Sequence, residues 1–144
     1  MAARPPRFPS TRLVKYPHLL ASDIPIWERF IDLHGPKFDG FDYDVHVGKG
    51  IEPPADVPPN IRNMAIHLTQ KRIDAVGHQP GKLWLIEVKE RPGVGAVGQI
   101  ISYITLYRRQ FNPQLKLIPA IVADIIEPDI RTVLADHSIT WFEV

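Results

Sequence analysis

Two acids and a lysine carry the chemistry that can be read from this sequence. In the segment KLWLIEVK, Lys82 to Lys89 alternate as a strand would, with Leu83, Leu85, Glu87 and Lys89 on one face and Trp84, Ile86 and Val88 on the other. The first face begins apolar and ends with a carboxylate beside an ammonium, which is how a sheet delivers reactive groups from its core to its rim. Taken alone, Glu-x-Lys at a strand end reads as a surface ion pair. Asp74 changes that reading. It stands thirteen residues before Glu87, between Ile73 and Ala75, where a strand rarely tolerates an unpartnered acid. A hairpin closing over Gln79, Pro80 and Gly81 brings Asp74 near Glu87, and two close carboxylates repel unless a cation or a proton lies between them. Mg²⁺ is the natural cation, since it prefers oxygen ligands and commonly takes one or two carboxylates plus water and substrate phosphate.

The run Asp74, twelve residues, Glu87, Val88, Lys89 resembles the signature of the PD-(D/E)xK nuclease superfamily, with Ile73 where the signature has proline. In the helix that follows, Gln99 and Tyr103 lie one turn apart and reproduce the QxxxY element of the RecB-like branch. Both sit off the helix's apolar stripe, free to face the strand ends. The resemblance runs over residues 22–111 and is one of fold only beyond Phe111.

It implies a restriction-endonuclease-like core and a nuclease, dependent on Mg²⁺ or Mn²⁺, that hydrolyses phosphodiester bonds of DNA, with RNA as the second choice of substrate. By the same resemblance Asp74, Glu87 and the carbonyl of Val88 hold the metal, Lys89 sits beside the attacking water, and Gln99 and Tyr103 orient phosphate or lysine. Family members often add a glutamate from the first helix; Glu28 is the candidate by position, Asp32 its rival, and Asp44 or His46 are substitutes on the first strand. The alternative is a catalytically silent member, a structural or nucleic-acid-binding component of a phage particle or packaging assembly. A third reading is a metal-free interaction domain in which Asp74, Glu87 and Lys89 form only an ion-pair network. Small stand-alone members resemble those encoded by phages, so the expected partners besides DNA are a second copy or a phage structural protein, and the expected location is the host cytoplasm or the virion.

The elements that must position these residues follow from pattern. Residues 1–21, with Pro5, Pro6, Pro9 and Pro17 among basic residues, are expected to form an extended arm, and residues 22–144 a single domain. Ser22 or Asp23 can cap a first helix in which Pro25 suits the first turn and Ile24, Trp27, Phe30, Ile31 and Leu33 form the apolar face, ending at Gly35 and Pro36. Phe41 to Val47 reads as a strand with Phe41, Tyr43, Val45 and Val47 on one side. Lys49 to Asn60 reads as a loop or flap able to cover substrate, and Ile61 to Leu68 is ambiguous. The hairpin is followed by a helix from Val94 to Phe111 with its stripe on Val97, Ile100, Ile104, Tyr107 and Phe111. A buried strand (Leu115 to Ala123), a short helix (Glu127 to Ala135) and a last strand (Ile139 to Val144) complete an α/β domain, a central mixed sheet flanked by helices.

Composition sets the outer bounds. The chain has 144 residues, 44% hydrophobic and 23% charged, which suits one globular core. It contains no cysteine, excluding disulfides, thiolate nucleophiles and cysteine-based zinc sites. A net charge of +1 leaves only a local patch for phosphate contact, with Arg62, Lys71, Arg72, Lys82, Arg91, Arg108 and Arg109 as candidates. The arginines near the start are not followed by an apolar run, so neither a signal peptide nor a membrane span is expected. The histidines lack the HExxH spacing, and GVGAVG lacks both the Lys-Ser/Thr of a phosphate loop and, with Ile118 at the required position, the acid of a dinucleotide site.

Overall fold

The computed structural model describes residues 4–144. The first three residues of the expected arm lie outside them. Five strands form one sheet in chain order: β1 (Gly40–Val47), β2 (Lys71–Gln79), β3 (Lys82–Lys89), β4 (Lys116–Ala123) and β5 (Thr140–Glu143). Pairing is antiparallel from β1 to β3 and parallel from β3 to β5, so the sheet is mixed. The change of sense falls at β3. Only two residues, Pro80 and Gly81, join β2 to β3, and the left-handed φ of 74° at Gly81 is one that glycine adopts without steric cost.

Helices cover both faces. On one, α1 (Ile24–His34) buries Ile26, Trp27, Phe30 and Ile31 against Phe41, Tyr43, Ala75, Ile86 and Val88, while Pro25 occupies its first turn. Trp27 Nε1 donates to Tyr43 Oη at 3.0 Å and its ring stacks on Phe30 with centroids 5.0 Å apart. Leu33, assigned by periodicity to the apolar face, is exposed, because the helix turns it away from the sheet in its last turn. On the other face, α3 (Val94–Phe111) and α4 (Pro128–Asp136) pack Ala96, Val97, Ile100, Ile130 and Leu134 onto Ile73, Leu83, Leu85 and Ile121. Phe111, the last position of the expected stripe, is half exposed where the helix runs past the sheet, and Tyr103 is buried in its stead. No helix among the described residues is long and apolar enough to cross a membrane.

Among the described residues, the segment before α1 has no helix, as its prolines dictate, and it is packed down. Phe8 bridges Phe41 in antiparallel fashion, and Tyr16 is buried in the aromatic cluster. The ambiguous stretch resolves as α2 (Pro59–Thr69), an eleven-residue helix with no buried residue. The rest of the expected flap precedes it as irregular chain, tied to it where the Ile51 N–H donates to Thr69 Oγ1 at 2.6 Å.

Two paired strands, β1 and β2, depart from simple alternation; in β2, Ile73 packs with the α3 face but Ala75 with the α1 face. Tyr43 packs with the α1 face, whereas Val45 and Val47 pack with the α3 face. Between them Asp44 has a left-handed φ of 53°, which Asp tolerates better than most residues and which turns the rest of β1 over. The expectation that Phe41, Tyr43, Val45 and Val47 share one side is therefore corrected: period two holds only where every residue is extended.

Candidate active site

Asp74, Glu87, Val88, Lys89, Gln99 and Tyr103, singled out above, all line one cavity of about 620 Å³. The antiparallel hairpin makes this convergence possible, because residues near the start of β2 and the end of β3 share one rim. The β2–β3 ladder runs from Gln79 opposite Lys82 to Ala75 opposite Ile86. At the next step the strands no longer pair. There the N–H of Val88 donates to Asp74 Oδ2 at 2.8 Å, so the side chain of one strand takes the place of a ladder bond. Glu87 lies on the face of β3 that carries Leu83 and Leu85, as alternation requires, and this points it under α3. There its Oε2 accepts the Tyr103 hydroxyl at 3.0 Å. Gln99, one turn earlier, is exposed at the mouth of the cavity, as is Lys89 at the end of β3.

Both acids are held out of the ordinary carboxylate range. Burial raises Asp74 most; the Val88 N–H works against that, and the charges of Asp23 and Asp44 add to it. For Glu87 burial is again the largest cause, followed by the charge of Asp74, with the Tyr103 hydroxyl and Lys89 opposing. Burial and its bond to Glu87 also raise Tyr103, so its hydroxyl keeps its proton and stays a donor. Among the described residues no donor reaches the second oxygen of either carboxylate.

Two buried, mutually repelling carboxylates, each with one oxygen open to the cavity, are a donor set that fits a hard divalent cation. Among the described residues no three His, Asp or Glu side chains gather closely enough to hold a metal by themselves. The pair thus suits an ion that retains several waters, as Mg²⁺ does, better than one caged by protein.

Glu28 is not brought to this cavity. Its carboxylate accepts the Tyr16 hydroxyl at 3.2 Å and lies 3.7 Å from Arg12, on the side of α1 that meets the N-terminal segment. Asp32 is likewise taken by Arg12. Asp44 is forked by Arg72, and His46 stacks on His67 with centroids 4.0 Å apart; neither Asp44 nor His46 lines the cavity. The acid that α1 does supply is Asp23. It precedes the helix, makes no capping bond, is 7% exposed, and is raised by burial while Lys89 pulls it down. The sequence shows Asp23 as an ordinary cap, so nothing in it marked this residue. Arg72 and Lys71, two of the phosphate-contact candidates named above, also line the cavity.

No family model and no curated protein matches the chain. Solved structures do. The chain is similar to the protein in a structure described as an EndoMS–dsDNA2 complex, with 17% identity, a TM-score of 0.51, and 92% of this chain and 49% of the other covered. A repair endonuclease from Pyrococcus abyssi aligns with 12% identity and a TM-score of 0.49, over 91% of this chain and 49% of the other. The chain spans about half the length of both. At this identity the first likeness is one of fold, an α/β domain with a mixed five-stranded sheet flanked by helices.

Proposed function

We propose that this chain is a divalent-metal-dependent nuclease of the PD-(D/E)xK type that hydrolyses phosphodiester bonds of DNA. The observation that carries the proposal is the convergence of Asp74, Glu87 and Lys89 on one cavity, with both acids raised by burial and each keeping a free oxygen. DNA is favoured as substrate because the structural neighbour with the higher TM-score is described in complex with double-stranded DNA. On this reading Asp74, Glu87 and the main-chain carbonyl of Val88 would hold Mg²⁺ or Mn²⁺. Such an ion would supply Lewis-acid chemistry there, making water a better nucleophile and offsetting charge on the phosphate. Lys89 donates hydrogen bonds to phosphate oxygens as their charge grows, in a position to steady the attacking oxygen as well. Tyr103 favours the ionised form of Glu87 through its hydrogen bond, and Gln99 at the mouth orients the entering phosphate. Asp23 adds negative charge that a cation in the cavity would feel as attraction.

The experiment is incubation with linear and circular, single- and double-stranded DNA in Mg²⁺, in EDTA, and with Lys89→Ala. Cleavage in Mg²⁺ alone, lost in EDTA and in the variant, is the expected outcome. Binding without cleavage by the native chain would instead select the catalytically silent reading.

A further inference from the structure

Gln70, Lys71, Arg72 and Asp74, from β2 and the residue before it, line one part of the cavity, and Arg72 is the cation there whose side chain is hydrogen-bonded. Two bonds fix that side chain: Nε donates to Asp44 Oδ1 and Nη2 to Asp44 Oδ2, both at 2.7 Å. A planar fork of this kind holds a guanidinium far more firmly than a single contact does. Nη1 has no acceptor among the described residues, although Arg72 borders the same space as Asp74 and Glu87.

The partner is also unusual. Asp44 stands in the middle of β1 with a left-handed φ of 53°, flanked by the pairs Tyr43 with Ala75 and Val45 with Ile73. Continued without interruption, that register would set Asp44 against Asp74, and opposed like charges destabilise a sheet. Arg72 holds Asp44 well ionised despite its burial, with smaller help from His46 and His18. A strained backbone residue whose two carboxylate oxygens both accept from one arginine at a cavity wall, with His46 Nε2 farther off at 3.4 Å, is the pattern of a device for placing that arginine.

We infer that Arg72 is the cavity's fixed phosphate-binding cation, holding a phosphate of the bound nucleic-acid strand through Nη1, and that Asp44 is its positioning residue. The inference rests on the nucleic-acid reading above and adds to it a substrate contact outside the Asp74, Glu87 and Lys89 set. Lys89 lies on β3 and Arg72 on β2, so the strand would be gripped on both sides of the two carboxylates.

The test uses the full chain and a fluorescein-labelled 20-base-pair duplex, with anisotropy followed against salt concentration in EDTA. Arg72→Gln is compared with the native chain and with Arg29→Gln, which removes an exposed arginine paired with Asp124 away from the cavity. Loss of one phosphate contact is expected to weaken binding about tenfold and to flatten the slope of log K against log salt by about 0.9. Asp44→Asn leaves the Arg72 charge in place but weakens the fork that holds it, so its slope should stay native while affinity falls. In Mg²⁺, the change in Arg72→Gln should appear in KM more than in kcat. Should Arg72→Gln fail to fold, Arg72→Lys carries the test, with native slope and reduced affinity expected. Native affinity, slope and KM in Arg72→Gln, alongside a lowered melting temperature, would reduce the pair to a structural ion bridge and overturn the inference while leaving the nuclease reading intact. Salt-dependent binding through Arg72 without cleavage would do the reverse, and no binding by the native chain overturns both.

Discussion

Tyr103 donates its hydroxyl to Glu87 Oε2 at 3.0 Å beneath α3, making a helix residue the direct regulator of a strand residue's charge. Tyr103→Phe keeps the ring and removes the donor. Because that donor lowers Glu87, its loss sends the proton affinity of Glu87 further up. A hydrogen bond to a charged acceptor is worth about 1.5 kcal/mol, or about one pH unit. Initial cleavage rates against pH should therefore show the rising limb displaced upward by about one unit, with the plateau largely retained. An unmoved limb would mean that Glu87 is not the group titrating.

Without metal, the raised acids predict an inverted pH dependence of stability. Asp74 and Glu87 bind protons more tightly folded than unfolded. Their contribution is complete below the ordinary carboxylate pKa, near 4, and is lost as pH rises through their elevated folded values. In EDTA, Glu87→Gln should melt about 3 °C or more above the native chain at pH 8 and show no advantage at pH 4.5, as calorimetry would reveal. Asp42 behaves oppositely. Held low by His78, the Arg7 N–H and Arg4 in spite of burial, it contributes above the ordinary range and loses its contribution in stronger acid.

Metal should restore what repulsion removes. If Mg²⁺ binds the folded chain only, a concentration one hundred times Kd stabilises it by about 2.7 kcal/mol. The melting temperature at pH 8 should rise with Mg²⁺ in the native chain and stay flat in Asp74→Asn. A rise of equal size in both proteins would place the cation elsewhere.

Gly50→Ala tests how α2 is held. Gly50 has a φ of 68°, and a Cβ there would lie 2.4 Å from the Ile66 carbonyl oxygen of α2. With nothing buried in α2, little energy resists its displacement. Amide exchange within Pro59–Thr69 should accelerate at least tenfold, about 1.4 kcal/mol, while the global melting temperature moves little. Uniform acceleration through the sheet would show instead that α2 supports the whole domain.

What could be read without coordinates was whatever repeats regularly. The β2–β3 hairpin and α3 were legible because extended and helical backbones impose periods of two and 3.6 on Lys82–Lys89 and on Val94–Phe111. That is also why Asp74, Glu87, Val88, Lys89, Gln99 and Tyr103 could be expected to line one cavity. What escaped is local or tertiary. A left-handed Asp44 has no periodic trace, α2 exposes apolar Ile61, Met64 and Leu68 that mask any amphipathic pattern, and Asp23 looks like any helix cap until the cavity beside it is seen. The placing of Glu28 away from the cavity was not legible for the same reason. A helix position gives a direction only once the roll of the helix is fixed, and Tyr16 and Arg12 lie on the side that Glu28 faces.

The two-residue connection at Pro80 and Gly81 acts at a distance from where it sits. Five consecutive cross-strand pairs, from Gln79 with Lys82 to Ala75 with Ile86, transmit its geometry along the ladder, about 16 Å at strand spacing, to the residues that border the cavity. A lengthened or stiffened tip that slid one strand by a single position would leave a well-paired hairpin and turn Glu87 from beneath α3 toward the side packed by α1. The bend thus works as a gauge block, and the spacing of the acids is inherited from the far end of the sheet.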